Sequence, residues 1–487
     1  MTQMTWERLL DPARLHDERG VARGEIGRSP FHKDHDRIVF SGSFRRLGRK
    51  TQVHPLTDND HIHTRLTHSL EVGCVGRSLG MSVGEELRHR LPADITPADL
   101  GVIVQAACLG HDIGNPPFGH AGEYAIRDWF KRAEADGSGL LEGLSDMERE
   151  DLLTYEGNAQ GFRIVTQIEY NQFRGGMRLT GATLGTLLKY PWTVAHGGTA
   201  GKFGCYQSEL PLLQQVAERL GLLPQGENRW CRHPLAWLVE AADDICYALL
   251  DLEDGLEMGI LRFEEVAEVL IQIAGGEPPD YATMQSEGVS QRRRIAALRG
   301  AAMEQAVNEV AKVFVQHESE LLNGTLRHDL LELCHPDLDW GVKSAKDLAR
   351  KRIFRNERKA KLEIGAYTTL GILLEAFIGA AHELHHTGHS NFKHQRVLAL
   401  IGENTPLPSW TLYDSYRRML DFIGGMTDHY AVDLAQEMGG RLRGIESTRV
   451  YAVRRSGGSP SGSRSSSWAP STRRTAAPMR LLLSAMP

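Results

Sequence analysis

Residues 109–123, LGHDIGNPPFGHAGE, carry four ionisable side chains, His111, Asp112, His120 and Glu123, on either side of a helix break. An adjacent imidazole and carboxylate offer one nitrogen and one oxygen donor, a mixture that suits a divalent metal ion. Consecutive residues in mid-helix point about 100° apart, but at a fraying last turn both side chains can converge on one ion. The run DLGVIVQAACLG upstream is apolar and free of proline, which predicts a buried helix. Gly-Asn-Pro-Pro must end that helix, because proline removes a backbone donor and clashes with the preceding turn. His111 and Asp112 therefore fall at a helix terminus. Taken alone, the dipeptide would serve equally as a C-cap, with a histidine near the negative end of the dipole. Beyond the break, His120 and Glu123 lie three residues apart on one face of the next helix. There the carboxylate can orient and charge-stabilise an imidazole that moves a proton.

Two other helices must bring the remaining donors. One starts near Thr64, and His68, Val72, Val75 and Leu79 recur along it at i, i+4, i+7 and i+11, so His68 faces inward. That placement fits a core histidine as well as a ligand. The second, at about 234–256, has a packed face of Leu238, Ala242, Ile245, Leu249 and Leu252. It also has a second stripe of Asp243, Tyr247 and Asp251 at i, i+4 and i+8. A solvated acidic face would look similar, although a tyrosine between the carboxylates on a largely apolar helix weakens that reading. His68, His111, Asp112 and Asp243 together form a mixed N/O set with coordination positions to spare, unlike a closed structural zinc site. Lys189, after an apolar helix, and Lys202, in a Gly-rich loop, are placed where a flexible ammonium could reach phosphate, though each alone could simply be solvated.

The chain has 487 residues, 41% hydrophobic and 24% charged, so it has ample material for a core and the composition of a globular protein. Net charge is −6 overall; six arginines and no acid follow Val450, leaving the preceding body at −12, which argues against broad nucleic-acid coating. Six cysteines without CxxC pairing suggest a reducing, cytoplasmic setting. No apolar region follows a basic amino-terminal segment, and no run of eighteen uncharged apolar residues occurs, so neither secretion nor membrane insertion is expected. Residues 131–160 are polar and Gly-rich and read as a surface insertion. Helical periodicity with few strand-like alternations makes the body all-α. The division expected is a 1–60 amino-terminal segment with the basic FRRLGRKTQV motif, a 61–260 core, a 261–445 helical region packed on it, and a disordered Ser/Arg/Pro-rich tail at 446–487.

The order H…HD…D resembles the HD-domain metal-dependent phosphohydrolases. Within them, FSGSFRRLGRKTQV, TRLTHSLEV, HDIGNPPFGHAGE, EGNAQGFRIV and AADDICYALLDLEDG resemble the deoxyguanosine triphosphate triphosphohydrolases over residues 20–440. The resemblance implies an HD-domain helical fold with additional C-terminal helices. It implies hydrolysis of dGTP or another dNTP to deoxynucleoside and triphosphate, with Mn²⁺ or Mg²⁺ on His68, His111, Asp112 and Asp243. Co²⁺, Fe²⁺ or Zn²⁺ would also suit those donors. It links the His120–Glu123 pair to catalysis, Gln52 and Asp251 to the sugar 3′-hydroxyl, and Tyr247 to the ring packed on C2′. It brings Arg65 near the phosphates, where Lys189 and Lys202 would join it. Relatives are homo-oligomers, often hexamers, and the basic run KRIFRNERK at 351–359 is either a contribution to a neighbouring subunit's pocket or a solvated helix.

Three rival readings remain at this level. His382, Glu383 and His386 fit HExxH, the zinc-protease pattern. Arg45, Arg46, Arg49 and Lys50 form a candidate patch for single-stranded DNA in a nucleotide-sensing or DNA-binding HD protein. Other HD phosphohydrolases share the metal set but not FRRLGRKTQV or GHAGE.

Overall fold

In the computed structural model, the described residues are 3–15, 27–52, 59, 61–170, 176–197, 201–354 and 357–441. The tail read as disordered lies outside them. The fold is all-α; among the described residues the only strands are the short hairpin pair Pro224–Gly226 and Arg229–Trp230.

Three helices carry the residues of interest. The His68 helix, Arg65–Glu86, starts where expected, because Thr64 and Thr67 exchange hydrogen bonds between side chain and backbone in a capping box. Val72, Val75 and Leu79 are buried beside His68. The His111 helix, Pro97–Gly110, is capped by Thr96 and Asp99, is almost wholly buried, and ends with His111 as its C-cap. The Asp243 helix, Pro234–Glu257, begins on His233, whose ring accepts the Leu235 N–H.

Glycines decide how closely the first two helices approach. A Cβ on Gly76 would lie 2.4 Å from Cys108 Sγ, on Gly80 2.8 Å from the Leu100 carbonyl, and on Gly84 2.7 Å from Pro97 Cα. This stripe, at four-residue spacing, lets the His68 helix press directly on the His111 helix and brings the two rings to a 5.5 Å centroid separation.

The apolar interior forms two clusters. The larger gathers the three site helices with the chain ahead of them and the helices of 261–353. The smaller packs Glu357–Thr387, Leu412–Gly424 and Asp428–Met438 against His120–Ala135 and Asp146–Leu153. Glu357–Thr387 contains the one helical stretch among the described residues that is long and apolar enough to cross a membrane. Its Leu370, Leu373, Leu374, Phe377 and Ile378 are fully buried in the smaller cluster, and a buried core helix passes the same test.

The surface-insertion reading of 131–160 holds only in part. Leu152, Leu153 and Tyr155 belong to the smaller cluster, and Glu156 and Gln160 are buried. Polar composition was misleading because several of these polar groups are satisfied internally: Asp151 accepts from Gln207 N–H (2.7 Å) and the Tyr413 hydroxyl (2.5 Å), and Gln160 donates to Asp421 (2.9 Å).

Candidate active site

At the junction of the three helices, candidate donor atoms of His68, His111 and Asp112 all lie within 4.8 Å of one another. Asp243 Oδ1 is 3.0 Å from His68 Nε2 and 3.6 Å from His111 Nε2, so it closes the group. His111 Nδ1 donates to the Cys108 carbonyl at 2.6 Å, which leaves the Nε2 lone pair facing the cluster. Asp112 is gripped from outside by Arg65 Nη1 (2.5 Å) and Asn115 Nδ2 (2.5 Å). Burial works to raise its carboxyl, but Arg65, His111 and His68 outweigh it and hold the group at about 2. Burial likewise opposes ionisation of Asp243, and the His111 and His68 imidazoles hold it well below the ordinary carboxylate value. Two carboxylates held ionised and two imidazoles, converging from three helices, fit a divalent cation.

The turn that breaks the helix shapes this grip. Phe118 and Gly119 both have left-handed φ, 64° and 57°, and a Cβ on Gly119 would come 2.4 Å from Arg65 Nη2. Asp428 fastens the turn to the segment holding Gln52, accepting from Phe118 N–H (3.0 Å) and from Thr51 N–H (3.0 Å) and hydroxyl (2.5 Å).

A cleft of about 500 Å³ opens over the donor group, and every site residue singled out from sequence except Asp251 lines it. A larger depression of about 770 Å³ near Phe263 is more open, is lined by Glu264, Glu268, Glu277 and Asp337, and holds no imidazole. In the cleft, His120 Nδ1 is 3.0 Å from Glu123 Oε2, and the other Glu123 oxygen accepts the Gly157 N–H at 2.7 Å. Glu123 is buried while the His120 side chain is 73% exposed, so a fixed carboxylate orients a ring that faces open space. Lys202 pairs with Glu156 (2.8 Å) and Lys189 with Glu240 (3.2 Å), so neither cation is simply solvated. Tyr247 lies 6.0 Å, ring to ring, from Phe354, and Lys359 Nζ sits 4.1 Å from the Phe354 ring centre. Both Phe354 and Lys359 line this chain's own cleft, so these two residues of the basic run contribute in cis.

Asp251 is buried one turn beyond Tyr247, and its Oδ2 has no hydrogen-bond partner among the described residues. Burial, followed by the nearby Asp254, pushes its carboxyl up to about 8. Gln52 lines the cleft with its Oε1 likewise unpartnered. Sequence reasoning assigned no part to Asn115, Glu156, Asn158 or Glu240, which also line the cleft. For Glu156 and Asn158 the signal was present in EGNAQ; for Glu240 only the packing reveals its pairing with Lys189.

Several members of the rival constellations are engaged elsewhere. Glu383 is occupied by Asn391 (3.0 Å) and His394 (2.7 Å), and His382 by the Tyr416 hydroxyl (2.8 Å). Of the four cations proposed for single-stranded DNA, Lys50 is buried and donates to the carbonyls of Asn115 (2.5 Å) and Gly424 (2.6 Å), while Arg45 and Arg49 are exposed. Burial lowers Lys50 to about 7. Its role is to tie the helix break to the Leu412–Gly424 helix.

Residues 65–245, which span all four donors, match the HD domain family. The chain is 57% identical over 445 residues to a deoxyguanosinetriphosphate triphosphohydrolase-like protein of Pseudomonas aeruginosa, covering 90% of this chain and 98% of that one. It is 41% identical to a protein of the same name from Synechocystis, covering 91% and 100%. It is 31% identical to the deoxyguanosinetriphosphate triphosphohydrolase of Klebsiella pneumoniae, covering 88% and 97%. With its HD pair at a buried helix terminus and its likeness to these proteins running nearly end to end, the chain belongs to the deoxyguanosinetriphosphate triphosphohydrolase family of HD-domain phosphohydrolases.

Proposed function

We propose that the protein is a metal-dependent dNTP triphosphohydrolase that converts dGTP, or dNTPs more broadly, to deoxynucleoside and triphosphate. The observation that carries this reading is the convergence of four N/O donors with an oriented histidine in one cleft bordered by cations. His68, His111, Asp112 and Asp243 would hold the ion, with Mn²⁺ or Mg²⁺ the expected choice. Bound there, a divalent cation offsets charge on α-phosphate oxygens and makes phosphorus more electrophilic.

The chain's own groups supply the rest. Water oxygen adds to the α-phosphorus, the bond from phosphorus to the sugar 5′-oxygen breaks, the 5′-oxygen ends protonated, and triphosphate departs whole. His120 is the proton-moving group, oriented through Nδ1 by Glu123, so that Nε2 is the nitrogen available to the reaction. Lys189 and Lys202 are drawn to phosphate from carboxylate partners that keep them charged: burial opposes their protonation, but Glu240 outweighs it for Lys189, as Glu123 and Glu156 do for Lys202. Arg65 fixes Asp112 and lines the cleft, and its guanidinium would address phosphate from there. Helix rise puts Tyr247 and Asp251 about 6 and 12 Å beyond Asp243, a span suited to a nucleotide lying along that helix with its sugar at Tyr247. Gln52 would address the 3′-hydroxyl from the cleft lining, and Asp251, buried one turn beyond Tyr247 with its Oδ2 unpartnered among the described residues, is the second group assigned to it. A homo-oligomeric, cytoplasmic enzyme is the accompanying expectation, and six free cysteines, five of them buried, accord with a reducing compartment.

Incubation with each dNTP plus Mn²⁺ or Mg²⁺, followed by chromatography separating triphosphate from pyrophosphate and phosphate, tests the reading. Triphosphate is the expected product, and pyrophosphate or phosphate as the first product would reject it.

A further inference from the structure

A second pocket, of about 180 Å³, adjoins the cleft through Glu240, which pairs with Lys189 of the cleft and with Arg232 of the pocket (2.6 Å). Three of the chain's eight tryptophans, Trp192, Trp230 and Trp237, line it with Arg229, Arg232 and Arg327, and no acidic side chain does. In a body of net charge −12, three guanidinium groups without a lining carboxylate run against the composition. The Arg232 guanidinium lies 4.6 Å from the Trp237 ring centre and that of Arg229 5.1 Å from Trp192. Arg229 Nε is buried without a hydrogen-bond partner among the described residues, and Arg327 stands exposed.

The fold makes a local exception to build this place. The hairpin that holds Arg229 and Trp230 is the only sheet among the described residues, and it is fastened to the chain leaving the cleft by Trp230 N–H donating to the Pro191 carbonyl at 3.1 Å. Gly324 closes the other side: its φ is +64°, and a Cβ there would come 2.1 Å from Cys231 Sγ.

Indole faces and guanidinium planes stack on nucleobases, and guanidinium groups bind phosphate through paired donors. The volume lies below the ~300–1,000 Å³ of pockets that enclose a whole ligand, so one planar base fits inside with its phosphate left at the rim. We propose that this pocket binds a nucleotide, its base among the tryptophans and its phosphate on the arginines, taken either as a free nucleotide or as the end of a single strand. The pocket's chemistry does not depend on the reaction in the cleft.

Intrinsic tryptophan fluorescence of the full-length protein, titrated with dAMP and separately with hexathymidylate, tests this. Saturable quenching by dAMP is expected, with Kd raised about tenfold, equivalent to about 1.4 kcal/mol, in Arg327→Glu, an exposed position where the fold tolerates the change. Trp230→Leu should cut the quenching amplitude, and Tyr247→Ala, in the cleft, should leave this Kd unchanged. Hexathymidylate that displaces dAMP assigns a strand end; hexathymidylate that does not displace it assigns a free nucleotide. Absence of saturable quenching, or a Kd unchanged in both Arg327→Glu and Trp230→Leu, would overturn the proposal. So would binding abolished by Tyr247→Ala alone, which would place the ligand in the cleft.

Discussion

Replacing Glu123 by glutamine keeps the side chain's length and its acceptance of the Gly157 N–H (2.7 Å), but removes the charge 3.0 Å from His120 Nδ1. Burial pushes the Glu123 carboxyl up, yet His120, Lys202 and Arg127 outweigh it and hold the group below the ordinary glutamate value, so the wild-type partner is an anion. An amide nitrogen in its place donates to Nδ1 and forces the ring's proton onto Nε2, the wrong tautomer for accepting one. A hydrogen bond to a charged group contributes about 1.5–3 kcal/mol, a rate factor of roughly 10 to 150. Solvent around the largely exposed ring screens the charge, so the lower end, about 10- to 30-fold in kcat, is expected. Removing the ring itself, in His120→Ala, should cost about 10²- to 10⁴-fold. Glu123 acts through His120 as a positioning residue, so His120→Ala/Glu123→Gln should turn over no more slowly than His120→Ala alone, because coupled positions are not additive. Initial rates of triphosphate release from dGTP by the wild type, both single variants and the double variant make the cycle. A further tenfold loss from Glu123→Gln in the His120→Ala background, or full activity in either single variant, would refute the reasoning.

Three other outcomes follow from the geometry. His111→Ala or Asp112→Ala should remove bound metal, read by elemental analysis, together with turnover, while far-UV circular dichroism keeps its helical signature; full activity in both would sink the metal assignment. Tyr247→Ala should admit GTP and weaken dGTP, narrowing the dGTP/GTP ratio of kcat/KM by roughly tenfold, or about 1.4 kcal/mol; an unchanged ratio would move sugar recognition elsewhere. Burial raises the Asp151 carboxyl to about 7, against the effect of its Gln207 and Tyr413 hydrogen bonds. A carboxyl raised in the folded state contributes stability that is full below its ordinary value of 3.8 and lost as pH rises through about 7. Thermal melts of wild type should therefore lose ground to Asp151→Asn between those pH values, and parallel curves would reject the assignment.

Residues 109–123 could be read unaided because their structure is local. Two prolines end a helix wherever it is buried, so His111 and Asp112 had to fall at a terminus, and helical spacing alone puts His120 beside Glu123. Periodicity also sufficed to turn His68 inward and to align Asp243 with Tyr247. Packing between distant segments decided the rest. The four-residue glycine stripe of the His68 helix was visible in sequence, but only contact with Cys108 and Pro97 reveals that it sets the separation of the two histidines. Lys50 looks like one more surface cation in FRRLGRK, yet it lies buried between two backbone carbonyls, one of them 374 residues away. Asp251 shares a stripe with Tyr247, but two turns on from Asp243 that stripe has entered the core, so the carboxyl ends buried and outside the cleft lining. Arg65 lines the cleft and also reaches Asp112, forty-seven residues on, a contact no local spacing announces, because the left-handed turn at Gly119 leaves room for its guanidinium. Local backbone preference acts over a few residues and is written in their order, whereas the partner of a charged side chain depends on which segments the core brings together.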